Sequence, residues 1–165
     1  MFKQVDVKEA LRRSIQTEKN AMDFYLRGAA QMKNIDARKV FELLAREERE
    51  HAHWFFNVYR GDDIPDLEAF LSSGPAVDSE WLRDLEKVGV ANLDERKAME
   101  LAMDKERKLA THLRELAAKI DDAEVRAVFE QNARSTDNHY QLIESEYARL
   151  MGMVHESDID TFVRE

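Results

Sequence analysis

Arg38-Lys39-Val40-Phe41-Glu42-Leu43-Leu44-Ala45-Arg46-Glu47-Glu48-Arg49-Glu50-His51 returns 88 positions later as Arg126-Ala127-Val128-Phe129-Glu130-Gln131-Asn132-Ala133-Arg134-Ser135-Thr136-Asp137-Asn138-His139. The correspondence runs without a gap from residues 6–59 to residues 94–147. Of its 54 pairs 13 are identical, where unrelated segments of ordinary composition share about four. It aligns Glu18 with Glu106 and His51 with His139, and it sets Glu48 against Thr136. Two similar halves are therefore expected, each bringing its part of a site opposite the other.

Outward from this stretch, the 3.6-residue period marks four long helices, at roughly 7–32, 36–60, 94–119 and 123–151. Asp6 with Glu9 three residues on starts the first, and Asp121 with Glu124 starts the fourth. The second is expected to stop at Gly61 and the fourth near Gly152. Within each half only a few residues join the helices, so each pair is antiparallel. Residues 61–93 differ, holding Pro65, Pro75 and three of the five glycines. That segment is long enough to cross the length of a bundle, with short helices at 67–71 and 80–85 covering the core. The expected fold is all-α: a four-helix bundle of two antiparallel helix pairs with a long crossover connection, one domain over 1–152, followed by a polar tail, 153–165, carrying Phe162.

Composition narrows the function. The 165 residues carry a net charge of −9, which disfavours nucleic acid and anionic membranes as partners. Cysteine is absent, excluding disulfides, thiolate zinc sites, iron–sulfur clusters and any rubredoxin-like electron-transfer module in this sequence. No run of 18 apolar residues exists, and the N-terminus lacks an apolar signal core, so a cytoplasmic location is expected.

The inward stripe of each helix carries groups that do not belong in an apolar core. The first reads Leu11, Ile15, Glu18, Met22, Tyr25, Ala29, and the second Ala37, Phe41, Leu44, Glu48, His51, Phe55, Val58. The third reads Met99, Met103, Glu106, Ala110, Leu113, Ala117, and the fourth Val125, Phe129, Asn132, Thr136, His139, Ile143. A buried, unpaired carboxylate costs several kcal/mol or is neutralised. A divalent cation removes the difficulty, and carboxylate with imidazole suits iron, manganese or zinc. Glu48 and His51, at i and i+3, can serve one ion. Alone, that pair inside Arg46-Glu47-Glu48-Arg49-Glu50-His51 reads as a solvated face; the recurrence of Glu18 as Glu106 and of His51 as His139, all on apolar stripes, makes the case. His53, His112 and His155 have no counterpart at the offset and are read as surface or core residues.

With Ile15-Gln16-Thr17-Glu18-Lys19, Asp23-Phe24-Tyr25, Leu44-Ala45-Arg46-Glu47-Glu48-Arg49-Glu50-His51-Ala52 and Arg126-Ala127-Val128-Phe129-Glu130, the chain resembles the ferritin-like superfamily, and within it the rubrerythrin-like domains. The resemblance implies a di-iron or iron–manganese centre. Glu18, Glu48 and His51 would hold one metal, and Glu106 and His139 the second, with Glu48 bridging. The second bridging glutamate of the family falls at Thr136, and an extra glutamate one turn after the third-helix ligand falls at Leu109. Asp137 lies about 100° around the helix from position 136 and points elsewhere.

The resulting expectation is one or two iron ions per chain, with manganese or zinc as alternatives, the second position weakened or vacant. The function would be peroxide reduction or iron oxidation, fed by an external electron donor. The competing reading is a non-catalytic helical bundle with one structural metal or none. A homodimer is expected, both from the resemblance and from Trp54-Phe55-Phe56, read as an exposed apolar segment.

Overall fold

A computed structural model of the chain describes residues 6–89 and 94–163, with side chains described through residue 152. Among these residues are six helices and no strand: α1 Val7–Gln31, α2 Ile35–Val58, α3 Leu67–Ser72, α4 Glu80–Val88, α5 Glu95–Ala118 and α6 Ala123–Val163. The four long helices of the sequence reading are α1, α2, α5 and α6. The last four crossover residues, 90–93, lie outside the described residues, as do the side chains of His155 and Phe162.

Each long helix starts on a side chain that satisfies an otherwise orphaned backbone N–H. Asp6 accepts from the Glu9 amide at 3.1 Å, Asn34 from Ala37 at 3.0 Å and Asp94 from Lys97 at 3.1 Å. Asp122 accepts from the Glu124 and Val125 amides at 3.0 and 3.2 Å. The starts obey the offset of the repeat: Asp6 matches Asp94, and Asn34 matches Asp122. The expectation for α6 was therefore one residue early, because Asp122 and not Asp121 makes these bonds. Glu9 also differs from the capping-box reading: its carboxylate accepts from Arg13 one turn on, at 2.8 Å. Nor does α6 end near Gly152. No described glycine lies in the left-handed region, and a glycine that keeps helical geometry weakens a helix by about 1 kcal/mol without ending it.

Ion pairs at the two ends fix the topology. Arg12, early in α1, pairs with Asp63, just past α2. At the opposite end the Glu95 carboxylate, at the start of α5, accepts from the Lys33 and Asn34 amides in the α1–α2 turn. The crossover thus carries the chain from one end of the bundle to the other, and α5 starts opposite to where α2 finishes. Arg149 in α6 pairs with Asp36 at the start of α2, which sets these two helices antiparallel.

The predicted stripes are the core. Every residue named on them is buried except Met103, which is half-buried. Phe24, Tyr25 and Phe41 pack edge to face or tilted at 5.0–5.9 Å, and Phe55 meets Phe129 at 4.9 Å. Gly28 lets α1 approach α2, since a Cβ there would lie 2.8 Å from the Phe41 ring.

Both short helices fall where the sequence places them. α4 lies in the groove between α1 and α5, with Trp81 against Phe24 and Tyr25 at 5.3 and 6.2 Å. Lys105 of α5 pairs with Asp84 at 2.6 Å, and Arg27 of α1 with Glu86 at 3.3 Å. Lys19, only 2% exposed, pairs with Asp23 at 2.7 Å and donates to the Ser73 and Gly74 carbonyls, fastening the crossover to α1. The segment Trp54-Phe55-Phe56 is not the exposed patch expected of it. Phe55 is fully buried, Phe56 is half-buried against the core and Trp54 stacks on His51 at 4.9 Å. No helix among the described residues is long and apolar enough to cross a membrane.

Two substitutions test this packing by chemical denaturation. Gly28→Ala lowers stability by about 1 kcal/mol, because overpacking against Phe41 outweighs the gain in helix propensity; a more stable variant would refute the close approach. Asp23→Ala leaves Lys19 buried without its carboxylate and lowers stability by about 3 kcal/mol.

Candidate metal centre

Midway along the bundle, α1, α2, α5 and α6 each turn a polar side chain inward at one level. Glu18, Glu48, His51, Glu106, Thr136 and His139 are all at most 1% exposed. The amphipathic stripes put them there, because each replaces an apolar residue at core spacing.

Glu48 stands between the two halves. Its Oε2 lies 3.5 Å from His51 Nδ1, which is also 3.5 Å from Glu18 Oε2. Its Oε1 lies 2.9 Å from His139 Nδ1, which is 3.7 Å from Glu106 Oε1. The imidazoles stack 4.9 Å apart and 4° from parallel. Both oxygens of Glu18, Glu48 Oε2, His51 Nδ1 and Glu106 Oε2 are buried without a hydrogen-bond partner. Glu48, His51 and His139 each offer a ligand atom within 4.8 Å of the others. Unsatisfied carboxylate oxygens and imidazole nitrogen in a dry interior are the donor set of a divalent cation.

The outer nitrogens of the histidines are held as well. His51 Nε2 meets Ser135 Oγ at 2.7 Å, and His139 Nε2 meets Glu47 Oε1 at 2.9 Å. Sequence reasoning placed Glu47 on a solvated face. Yet Glu47 and Ser135 are themselves a pair at the offset of 88. Each stands four residues before the histidine of its own helix and supports the histidine of the other. The signal lay in the repeat but needed the antiparallel α2–α6 pairing to be read.

Thr136 occupies the position of the missing glutamate but turns away chemically, its hydroxyl donating to the Asn132 carbonyl at 2.7 Å. Asp137 pairs with Arg114 on the outside, as its angular position requires. Tyr25 donates to Glu106 Oε1 at 2.6 Å, and burial, then the charges of Glu106 and Glu48, hold its phenol well above the ordinary value. The counterpart of Tyr25 at the offset is Leu113. Near it a cavity of about 220 Å³ opens between α1 and α5, lined by Thr17, Glu18, Leu109, His112, Leu113 and Leu116 among others. Leu109, where the family carries an extra glutamate, is part of that apolar wall.

Protonation follows from crowding. Burial, then the neighbouring Glu48 charge, raises Glu18 well above the carboxylate range. The same two causes push Glu106 up to about 7. Burial alone would raise Glu48 too, but the adjacent Glu18 carboxyl and the charges of His51 and His139 hold it well below normal. Burial opposes charging of His51, but Glu48 and Glu18 lift it to about 10. His139 is raised further by Glu48, Glu106 and Glu47 against the same burial penalty. The cluster on its own thus carries protons where a cation would otherwise balance its carboxylates.

Comparison with known proteins agrees with this geometry. A stretch of 38 residues is 47% identical to the uncharacterized protein YhjR of Bacillus subtilis (strain 168); the match covers 23% of this chain and 26% of that protein. No solved structure matches the chain. The sequence model of the Rubrerythrin family matches residues 9–147, which takes in α2 and α5, most of α1, the first 25 residues of α6, and both His51 and His139, and the chain belongs to the rubrerythrin family.

Proposed function

We propose that this chain binds iron at two positions that share Glu48, and that it is an oxidoreductase acting on peroxide or on ferrous iron. The observation that carries the reading is the set of buried, partnerless Glu18, Glu48, His51 and Glu106 atoms around one space, with His139 beside them. In this reading Glu18, Glu48 and His51 would hold the first ion. Glu106 and His139, sharing Glu48, would hold the second, which is weaker because Thr136 adds no carboxylate.

A pair of irons, when bound, supplies two electrons to an O–O bond. The protein's share is positioning and proton handling. Tyr25 holds Glu106 in place and keeps its own proton. Ser135 and Glu47 fix the outer nitrogens, so that both histidines present Nδ1 inward. The cavity beside Leu113 gives a small molecule a path to Glu18. Without cysteine, electrons would come from a separate donor. The alternative, a bundle holding one structural ion, is favoured by the commitment of the Thr136 hydroxyl to Asn132.

Metal titration of the purified chain, with anaerobic ferrous iron or with zinc, tests the reading. We expect up to two ions per chain, the first tighter. His51, lifted to about 10, is protonated at neutral pH and must lose its proton to ligate. The first ion therefore releases at least about one proton, measurable by calorimetry in buffers of different ionisation enthalpy. Affinity rises as pH increases from 6 towards 9; a pH-independent affinity would count against these ligands. Thr136→Glu should raise occupancy of the second position, and no change would count against the assigned register. Peroxide consumption by the iron-loaded chain, supplied with a reductant, separates the oxidoreductase from the structural reading.

A further inference from the structure

The second position has one carboxylate fewer than its ions require, and a carboxylate stands just outside it. Glu18, Glu48 and Glu106 bring three negative charges against the four positive charges of two divalent ions, leaving one unbalanced. Glu47 is a further anion, 2.9 Å from the outer nitrogen of His139. Its counterpart in the repeat, Ser135, makes the equivalent bond to His51 but is neutral. The charged partner therefore serves the half that has Thr136, and the neutral partner serves the half that has Glu48. A carboxylate accepting from Nε2–H fixes the tautomer, makes the opposite nitrogen a stronger donor and adds negative charge close to the ion.

We infer that Glu47, acting through His139, supplies the negative charge that Thr136 withholds, and that this keeps the second metal position occupied. Glu47 is a positioning residue: it touches the histidine and not the metal. The inference rests on the reading that the centre binds divalent ions. Because the Glu47 side chain is 41% exposed, solvent screens part of its charge, so its effect belongs at the lower end of what such partners contribute.

The test is a cobalt titration of the full chain, followed by ligand-field absorption and by metal content, in wild type, Glu47→Gln, Thr136→Glu and the double variant. Wild type is expected to take two ions. In Glu47→Gln the first ion should bind as in wild type and the second about tenfold more weakly. Thr136→Glu should restore the second ion in the double variant, so that Glu47→Gln costs less in that background. Glu47→Asp, whose carboxylate falls short of Nε2, gives the same loss and serves if the glutamine variant folds poorly. An unchanged second-ion affinity in Glu47→Gln, or an equal loss with and without Thr136→Glu, overturns the inference while leaving the metal centre standing. A wild-type chain that takes one ion only also overturns it. A wild-type chain that takes none overturns the metal-centre reading, and the role of Glu47 with it.

Discussion

Glu48 has no access to water, and each of its two oxygens belongs to a different half of the bundle. On one side is His51, with Glu18 behind it; on the other is His139, with Glu106 behind it. Two protonated imidazoles stacked 4.9 Å apart repel one another, and the carboxylate beside both is what makes the arrangement tolerable. The same burial that strengthens this attraction makes every unmatched charge nearby costly. The long helices must therefore meet in one register, because a shift of one residue would turn a carboxylate into the apolar wall. Helix caps at matching positions, Asp6 with Asp94 and Asn34 with Asp122, set that register from the ends.

How much of this could be read from the chain depended on whether the cause was local. The helix stripes were legible because burial follows a fixed period, and nearly every stripe residue is where the period puts it. The two short crossover helices were legible in the stretches 67–71 and 80–85, and the structure adds their caps, Asp66 and Ser79. Trp54 and Phe56 flank the buried Phe55 and are themselves only partly covered: the Trp54 ring lies on His51 one turn back, and Phe56 packs against the core. Asp121 and Asp122 are adjacent acids with equal capping ability, and only the start of the helix distinguishes them. The burial of Lys19 leaves no local trace, because its bonds to Ser73 and Gly74 span more than 50 residues.

Glu47 is the instructive case. Between Arg46 and Glu48, in a run of charges, it has every mark of a solvent-facing residue, and it is indeed partly exposed. Its other side meets His139 from a helix about 90 positions away in sequence. Composition describes the outer face of such a residue and says nothing about the inner one. The duplication does, since a functional pair recurs at 88 residues even where the residue types have diverged.

The crossover is the part of the chain that the duplication does not repeat. α4 fills half of the groove between α1 and α5, resting beside Phe24, Tyr25 and Lys105. Moved by 88, these become His112, Leu113 and, in the reverse direction, Thr17, all of which line the cavity that ends at Glu18. The cavity is thus the vacant twin of the α4 seat. Among the described residues, a doubled scaffold joined by a single strap has one roofed side and one unroofed side. In the proposed reading, the doorway to the centre needs no loop or hinge of its own, being the place where the strap has no counterpart.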